Sequence, residues 1–142
     1  MIEVVNRQRK VTLDLPRWEK FTATTLGVLP ASGSGVTVAF VSDRMMRDLN
    51  RRWRGKTGTT DVLSFPAEQD EFEKSEGPTL GDVVISVDQA ARQAAENKLT
   101  MDEELAQLIL HGLLHLCGYD HSTDNGEMNQ LELRLRRRLG IG

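Results

Sequence analysis

Apolar side chains recur along the chain at two spacings, and these predict alternating strands and helices. Short runs rich in β-branched residues predict four strands, at residues 1–6, 35–41, 60–65 and 82–87. Apolar positions three and four apart, or runs of alanine, predict helices at residues 16–26, after 42, at 88–97, between 100 and 118, and from about 124 onward. This pattern predicts an α+β fold with a single four-stranded mixed sheet and about five helices packed on it, one of them central and buried.

Local signals mark where several of these helices begin and end. Ser42 can accept a hydrogen bond from the first turn of the helix that follows it. Thr100 and Glu103 form a capping box, and Gly118 can adopt the left-handed conformation that ends a helix. The polar, acidic stretch at residues 68–78 is typical of an exposed loop.

Two helices carry one apolar face each, which predicts the side that they bury. In the helix after Ser42, this face consists of Met45, Met46, Leu49 and Trp53. In the last helix, it consists of Met128, Leu131, Leu135 and Leu139.

The composition is that of a folded protein, and we expect a single domain at residues 1–142. Apolar residues make up 39% and charged residues 27% of the chain, a globular balance. The net charge of −3 does not favour nucleic-acid binding by the whole surface, although local patches weigh more than the sum. The single cysteine, Cys117, cannot form an internal disulfide, and no stretch resembles a membrane span or a signal peptide. We therefore expect a cytoplasmic protein that does not contact a membrane.

All three histidines of the chain lie in one segment, HGLLHLCGYDH. His111 and His115 are four residues apart on the predicted central helix, so both imidazoles project from one side. After Gly118 the chain can turn back and bring His121 to the same point. The alternative is three ordinary hydrogen-bonded histidines. The clustering on a largely apolar helix favours a shared metal ion instead, because unpaired polar groups are costly to bury.

Three imidazoles fill three corners of a tetrahedron and leave the fourth position open, which is the arrangement of a catalytic zinc site. We therefore predict one Zn²⁺ per chain, although nickel, copper and iron also accept imidazole ligands. Asp120 can orient one of the ligands through a hydrogen bond. The alternative for Asp120 is a turn residue that faces solvent.

The residue between the two helical histidines limits the chemistry. The spacing equals that of metzincin proteases, H-E-x-x-H-x-x-G-x-x-H, but Gly112 replaces the glutamate that acts as general base. Glycine cannot accept a proton, which disfavours a peptidase of the usual type. A metal ion can still activate water and polarise a phosphoryl oxygen, so hydrolysis remains open with its general base unassigned.

A basic segment precedes the third strand. Six cationic residues lie there against one acid, Asp48: Arg44, Arg47, Arg51, Arg52, Arg54 and Lys56. Guanidinium groups bind phosphate through two hydrogen bonds, so the segment suits a phosphate-binding surface. A solvated helix face is the alternative for most of these residues. Arg54 differs because it lies in a glycine-containing turn, where functional side chains concentrate. We also retain Arg51, Arg52 and Lys56 as candidates for substrate binding.

Three motifs together resemble the bacterial YbeY family. They are HGLLHLCGYDH at residues 111–121, RGKTGTTDVLSFP at 54–66 and LGDVVIS at 80–86, in the order that the family has. One departure is Thr59, where many members of the family have proline. The resemblance implies a single-strand-specific, metal-dependent endoribonuclease. It further implies a role in ribosome quality control and in ribosomal RNA maturation, notably at the 3′ end of the small-subunit RNA.

The same resemblance implies roles for particular residues and partners. His111, His115 and His121 would bind the metal, usually taken as zinc, and Arg54 would be important for activity. The implied partners are single-stranded RNA, the small ribosomal subunit and ribosome-assembly proteins.

Joining the residues to the resemblance gives a hypothesis for the mechanism. The metal binds water or the scissile phosphate, and Arg54 stabilises the charge that develops on the phosphoryl oxygens. Tyr119 or Trp53 can stack a base, although the position of Trp53 in the apolar face favours the core. Two alternatives remain open: a metal-dependent hydrolase of another substrate, and a non-enzymatic ribosome-assembly factor with a structural metal.

Overall fold

Four strands form a single sheet in the computed structural model, which describes residues 1–31, 33–67, 78–120 and 124–141. The strands are β1 (Ile2–Asn6), β2 (Gly35–Val41), β3 (Val62–Pro66) and β4 (Thr79–Ser86). The described residues also form α1 (Leu15–Gly27), α2 (Asp43–Arg54), α3 (Val87–Asn97), α4 (Met101–Leu116) and α5 (Glu127–Leu139). The predicted α+β fold with a four-stranded sheet and five helices is confirmed.

The sheet is mixed, with β3 as an antiparallel edge strand. Its order is β1-β2-β4-β3, in which β1, β2 and β4 run parallel and β3 runs antiparallel to β4. Gly81 allows this last pairing, because a Cβ at that position would lie 2.1 Å from the carbonyl oxygen of Phe65. Among the described strands, β3 therefore forms one edge of the sheet.

The two faces of the sheet bury different sets of side chains. One face carries Val38 and Phe40 of β2, which pack with Ile109 of α4 and Trp18 of α1 in the larger core cluster. The other face forms a smaller cluster in which β2, β3 and β4 pack against Met46 of α2. Alternate residues of each strand point to opposite faces, so a single strand contributes to both clusters.

The boundary between β4 and α3 differs from the prediction of a strand at residues 82–87. The strand ends at Ser86, and Val87 is already the first residue of α3. The hydroxyl oxygen of Ser86 accepts a hydrogen bond from the backbone N–H of Gln89 at 3.2 Å. Ser86 thus caps α3, and this cap ends the strand.

The central helix α4 begins and ends as predicted. The Thr100 hydroxyl oxygen accepts from the Glu103 backbone N–H at 3.1 Å, and the Glu103 carboxylate accepts from the Thr100 N–H at 2.9 Å. Gly118, at a φ of 97°, follows the last turn. The apolar residues of α4 are buried against the sheet and α1, so its ends fix where the histidines lie.

The buried side of α2 differs from the predicted apolar face. Met46 is fully buried and Leu49 is partly buried, but Met45 is 42% exposed and Trp53 is 69% exposed. The helix turns Asn50 inward instead, and its side-chain amide donates a hydrogen bond to the carbonyl oxygen of Gly58 at 3.2 Å. The prediction that Trp53 lies in the core is wrong. Asn50 is buried at this end of α2 instead, and its hydrogen bond holds the following loop.

The last helix begins slightly later than predicted and buries the expected face. Asp124 precedes the helix, and its carboxylate accepts from the backbone N–H of Met128 at 2.9 Å. Met128 and Leu135 are buried, while Leu131 and Leu139 are partly buried.

Some predictions fall outside the described residues, among them the loop at residues 68–77 and His121. Across the ranges that the structure covers, no helix is both long and apolar enough to span a bilayer.

Candidate active site

His111 and His115 lie side by side on one turn of α4. Their ring centroids are 4.8 Å apart and the ring planes are inclined by 70°. Both residues are partly buried. The structure therefore brings two of the three predicted ligands together, whereas His121 lies outside the described residues and its role stays a prediction.

Glu132 of α5 forms a hydrogen bond with the first of these histidines. Its Oε1 lies 2.7 Å from Nδ1 of His111, and only 7% of the residue is exposed. Arg136 lies on the other side of this carboxylate, with Nη2 3.6 Å from Oε2 of Glu132. Since an ionised carboxylate only accepts, the proton of a neutral His111 ring lies on Nδ1, and Nε2 is the unprotonated nitrogen.

The sequence interpretation missed Glu132, although a signal for it exists. Glu132 is four residues after Met128 and three before Leu135, so it falls within the apolar face of α5. A carboxylate is costly to bury without a partner. A charged residue in the middle of a buried helix face is therefore a sign of a specific contact.

The histidine pair opens into a groove of about 650 Å³. The groove combines the C-terminal end of α2, the loop before β3, β3 itself and one side of α4. Its lining residues are Trp53, Arg54, Thr60, Asp61, Val62, Leu63, Ser64, Phe65, His111, His115 and Asp120. Arg54 is thus brought to the same groove as His111 and His115, from a segment more than fifty residues away in the chain.

The other basic candidates do not all share this groove. Arg51 lines a separate groove of about 720 Å³ together with Arg44 and Arg47. Of the described side chains that line either groove, none belongs to Arg52 or Lys56. Arg51 and Arg52 both form ion pairs with one carboxylate, that of Asp48, at 3.0 and 3.2 Å.

Gly112 lies against the sheet and not toward the groove. A Cβ at this position would be 2.5 Å from Cγ1 of Val83, and the carbonyl oxygen of Gly112 accepts from the Ser64 hydroxyl at 3.1 Å. The position therefore has no room for the glutamate that metzincins use, and the close approach of α4 to β4 explains the glycine.

Two carboxylates line the groove beside the histidines. Asp61 is held by its neighbours, since its carboxylate accepts from the Val62 backbone N–H at 2.8 Å and from the Gln93 amide at 3.1 Å. Asp120, the predicted orienting residue, is exposed at the groove. Sequence reasoning had assigned no role to Asp61.

The donor set suits a transition-metal ion. Two imidazoles one helical turn apart, one of them hydrogen-bonded through Nδ1 to a carboxylate, match the way in which histidine ligands are usually oriented. Among the described residues, no group of three or more His, Cys, Asp or Glu side chains converges. The histidine pair thus offers two donors that fit such an ion.

The family profile described as endoribonuclease YbeY matches residues 3–140 of the chain. A relative with that name from Solibacter usitatus (strain Ellin6076) is 42% identical over 138 residues, which cover 97% of this chain and 88% of the relative. One from Anaeromyxobacter sp. (strain Fw109-5) is 44% identical over 121 residues, which cover 84% of this chain and 62% of the relative. The match therefore spans somewhat less than two thirds of that second protein.

A solved structure shares the fold. The solution structure of TM1509 from Thermotoga maritima superposes with a TM-score of 0.61 and covers 98% of this chain and 89% of its own. The two sequences are 23% identical.

Proposed function

The chain belongs to the endoribonuclease YbeY family, and from that premise we propose that it hydrolyses phosphodiester bonds in single-stranded RNA with one bound divalent metal ion. The observation that carries this proposal is the meeting of Arg54 with His111 and His115 in one groove. The proposed substrate is ribosomal RNA, notably the 3′ end of the small-subunit RNA. The small ribosomal subunit and its assembly proteins are the proposed partners, and the cytoplasm is the proposed location.

The proposed metal ligands are His111, His115 and His121, and zinc is the proposed ion. Imidazole nitrogens suit zinc, although nickel and other divalent transition metals accept the same donors. When bound, the ion would supply Lewis acidity at the phosphoryl group. Glu132 would hold the His111 ring with Nε2 unprotonated, and Asp120 is proposed to orient another ligand imidazole.

Arg54 has the proposed catalytic role. Its guanidinium can donate two parallel hydrogen bonds to the oxygens of a phosphoryl group. Negative charge on these oxygens grows as the phosphorus is attacked, so the same contacts strengthen toward the transition state. Arg51, Arg52 and Lys56 are proposed to bind phosphates away from the cleaved bond.

The packing of Gly112 weighs against the alternative of a peptidase. The general base of metzincins would have to occupy the space that Val83 already fills. The chemistry of the groove, with a guanidinium beside the histidines, suits a phosphate substrate better than a peptide.

The proposal is tested by assaying Arg54→Ala and His115→Ala on single-stranded RNA, with Arg134→Ala as the exposed control on α5. We expect each of the first two variants to lose about a hundredfold or more in cleavage rate, and the control to cleave like the unmodified protein. Chelation should abolish cleavage, and added Zn²⁺ should restore it.

Undiminished cleavage by well-folded Arg54→Ala and His115→Ala proteins would contradict the proposal. If chelation melted the fold while the loaded protein cleaved no RNA, the metal would be structural. The alternative of a non-enzymatic assembly factor would then be the better description.

A further inference from the structure

Trp53 is a large apolar side chain that the fold leaves in solvent. It is 69% exposed, whereas the other tryptophan of the chain, Trp18, is 2% exposed and lies in the core. Met46 lies two turns earlier on the same side of α2 and is fully buried. The exposure of Trp53 therefore does not arise because this side of the helix faces solvent throughout. An indole at this position adds little to the core, so its surface is free to contact a ligand.

The indole of Trp53 packs edge-on against an aromatic ring of the sheet. Its ring centroid lies 6.3 Å from that of Phe65 on β3, with the planes inclined by 75°. Both rings line the groove that contains His111, His115 and Arg54. An edge-on contact of this kind fixes the direction of the indole and leaves most of its surface accessible.

We propose that Trp53 is the stacking platform for one unpaired base of the RNA strand whose phosphate is bound at Arg54. This inference rests on the proposed function, and it names the part of the groove that holds a base. Trp53 and Arg54 are consecutive residues that both line the groove, where one presents a π surface and the other a cation. A strand that offers alternating bases and phosphates matches this pair.

The platform gives a physical reason for a preference for single strands. A base within a duplex is already stacked on both sides, and its faces become available only after it is unpaired and extruded. A single strand can therefore stack a base on Trp53 without the free-energy cost of unpairing and extruding it. Since every base has a π face, the platform would not select one sequence over another.

The two tryptophans permit a direct optical test. Trp18 is buried, so a ligand in the groove should quench the emission of Trp53 and leave that of Trp18 unchanged. We would titrate chelator-treated protein with a single-stranded oligoribonucleotide, with the same strand in a duplex, and with a strand of equal length made of abasic units. We expect quenching by the first ligand alone, and no quenching by it in Trp53→Phe.

Affinity provides a second, independent measurement. Trp53→Ala should bind the single-stranded oligoribonucleotide about tenfold more weakly, while Trp53→Phe should keep most of the affinity because phenylalanine also stacks. Leu133→Ala is the control, since Leu133 is also exposed, at 43%, but lies on α5. In cleavage assays Trp53→Ala should raise KM and leave kcat nearly unchanged.

Two outcomes would overturn the inference alone. One is equal quenching by the abasic strand, and the other is undiminished affinity of folded Trp53→Ala in a preparation whose parent protein cleaves RNA. In the second case, a protein partner would be the better candidate for the exposed indole. If the parent protein neither bound nor cleaved single-stranded RNA, the stacking inference and the proposed function would fail together.

Discussion

Single residues in the candidate site are held by contacts that come from other elements. His111 belongs to α4, but its ring is oriented by Glu132 of α5 at 2.7 Å. Glu132 is 7% exposed, and the guanidinium of Arg136 lies 3.6 Å from its carboxylate. The hydrogen bond to His111 and the positive charge of Arg136 explain how the Glu132 carboxylate remains in a mostly apolar helix face.

The residue-scale prediction concerns metal affinity. Glu132→Gln keeps the volume of the side chain but removes the charge that polarises His111. We expect binding of Zn²⁺ to weaken about tenfold or more, since outer hydrogen-bond partners of ligand histidines typically contribute that much. Competition against a coloured chelator measures the affinity without any assay of cleavage.

The control is Glu96→Gln, an exposed change on α3, which should bind the ion like the unmodified protein. Equal affinities for both variants would contradict the role given to Glu132.

At the scale of the elements, contacts between residues close in the sequence were predictable, whereas contacts between distant segments were not. The capping box of α4 was predictable because Thr100 and Glu103 contact each other within one turn. The meeting of Arg54 with the histidine pair was not derivable from spacing, since it depends on how α2 and α4 pack on the sheet. The resemblance to the YbeY family supplied that link and is confirmed by the comparisons.

The exposure of Trp53 shows why a helical pattern alone is insufficient. The spacing of apolar residues gives the direction of a side chain around the helix, but not what lies opposite it. On α2, Asn50 is buried because it bonds to Gly58 of the following loop. At Trp53, the neighbouring ring is that of Phe65 at the sheet edge. Glu132 was missed for a similar reason, because its partner is on another helix.

The start of α2 is joined to three other segments through one carboxylate. Asp43 accepts hydrogen bonds from the Ser86 hydroxyl at 2.7 Å, the Thr59 hydroxyl at 3.2 Å and the Arg92 guanidinium at 2.6 Å. Burial raises the pKa of the Asp43 carboxyl, but these hydrogen bonds and the charge of Arg92 outweigh it and hold the pKa below its ordinary value. The Thr59 hydroxyl thereby makes a contact that a proline at this position could not make.

The element-scale prediction concerns stability in acid. A pKa that is lower in the folded state means that the ionised Asp43 stabilises the fold at pH values above the ordinary value of 3.8. This contribution is lost as the pH falls through the lowered value. We expect Asp43→Asn to reduce the free energy of unfolding by about 1.5–3 kcal/mol near neutral pH, the range for hydrogen bonds to a charged group.

Urea unfolding of both proteins across pH measures this effect. The difference between unmodified protein and Asp43→Asn should be constant near neutrality and shrink below about pH 4, because protonation removes the same charge. Asp48→Asn, which breaks exposed ion pairs on the same helix, should cost less than about 1 kcal/mol. A difference that stayed constant into strong acid would show that the charge of Asp43 is not what stabilises the fold.

Across the whole molecule, the charges are unevenly distributed. The chain has a net charge of −3, yet five of its arginines lie on α2, whose last residue, Arg54, lines the candidate site. Arg51 and Arg52 share the carboxylate of Asp48, and their side chains are 71% and 66% exposed. Exposed ion pairs contribute little stability, so a phosphate can replace the carboxylate at small cost. Asp48 is then a competitor for the same guanidinium groups that an RNA strand would use.

This competition predicts that removal of an acidic residue improves RNA binding. Asp48→Asn frees Arg51 and Arg52 and removes a charge that repels phosphate. We expect binding of a single-stranded oligoribonucleotide to tighten about two- to fivefold at low salt, and the gain to shrink as salt screens the charges. Fluorescence anisotropy at several salt concentrations measures both effects.

The matched control is Asp102→Asn, which breaks the exposed pair between Asp102 and Arg17 at 2.8 Å and changes the net charge equally. If the control tightened binding as much as Asp48→Asn, the gain would reflect net charge alone, and Arg51 and Arg52 would not lie on the path of the RNA.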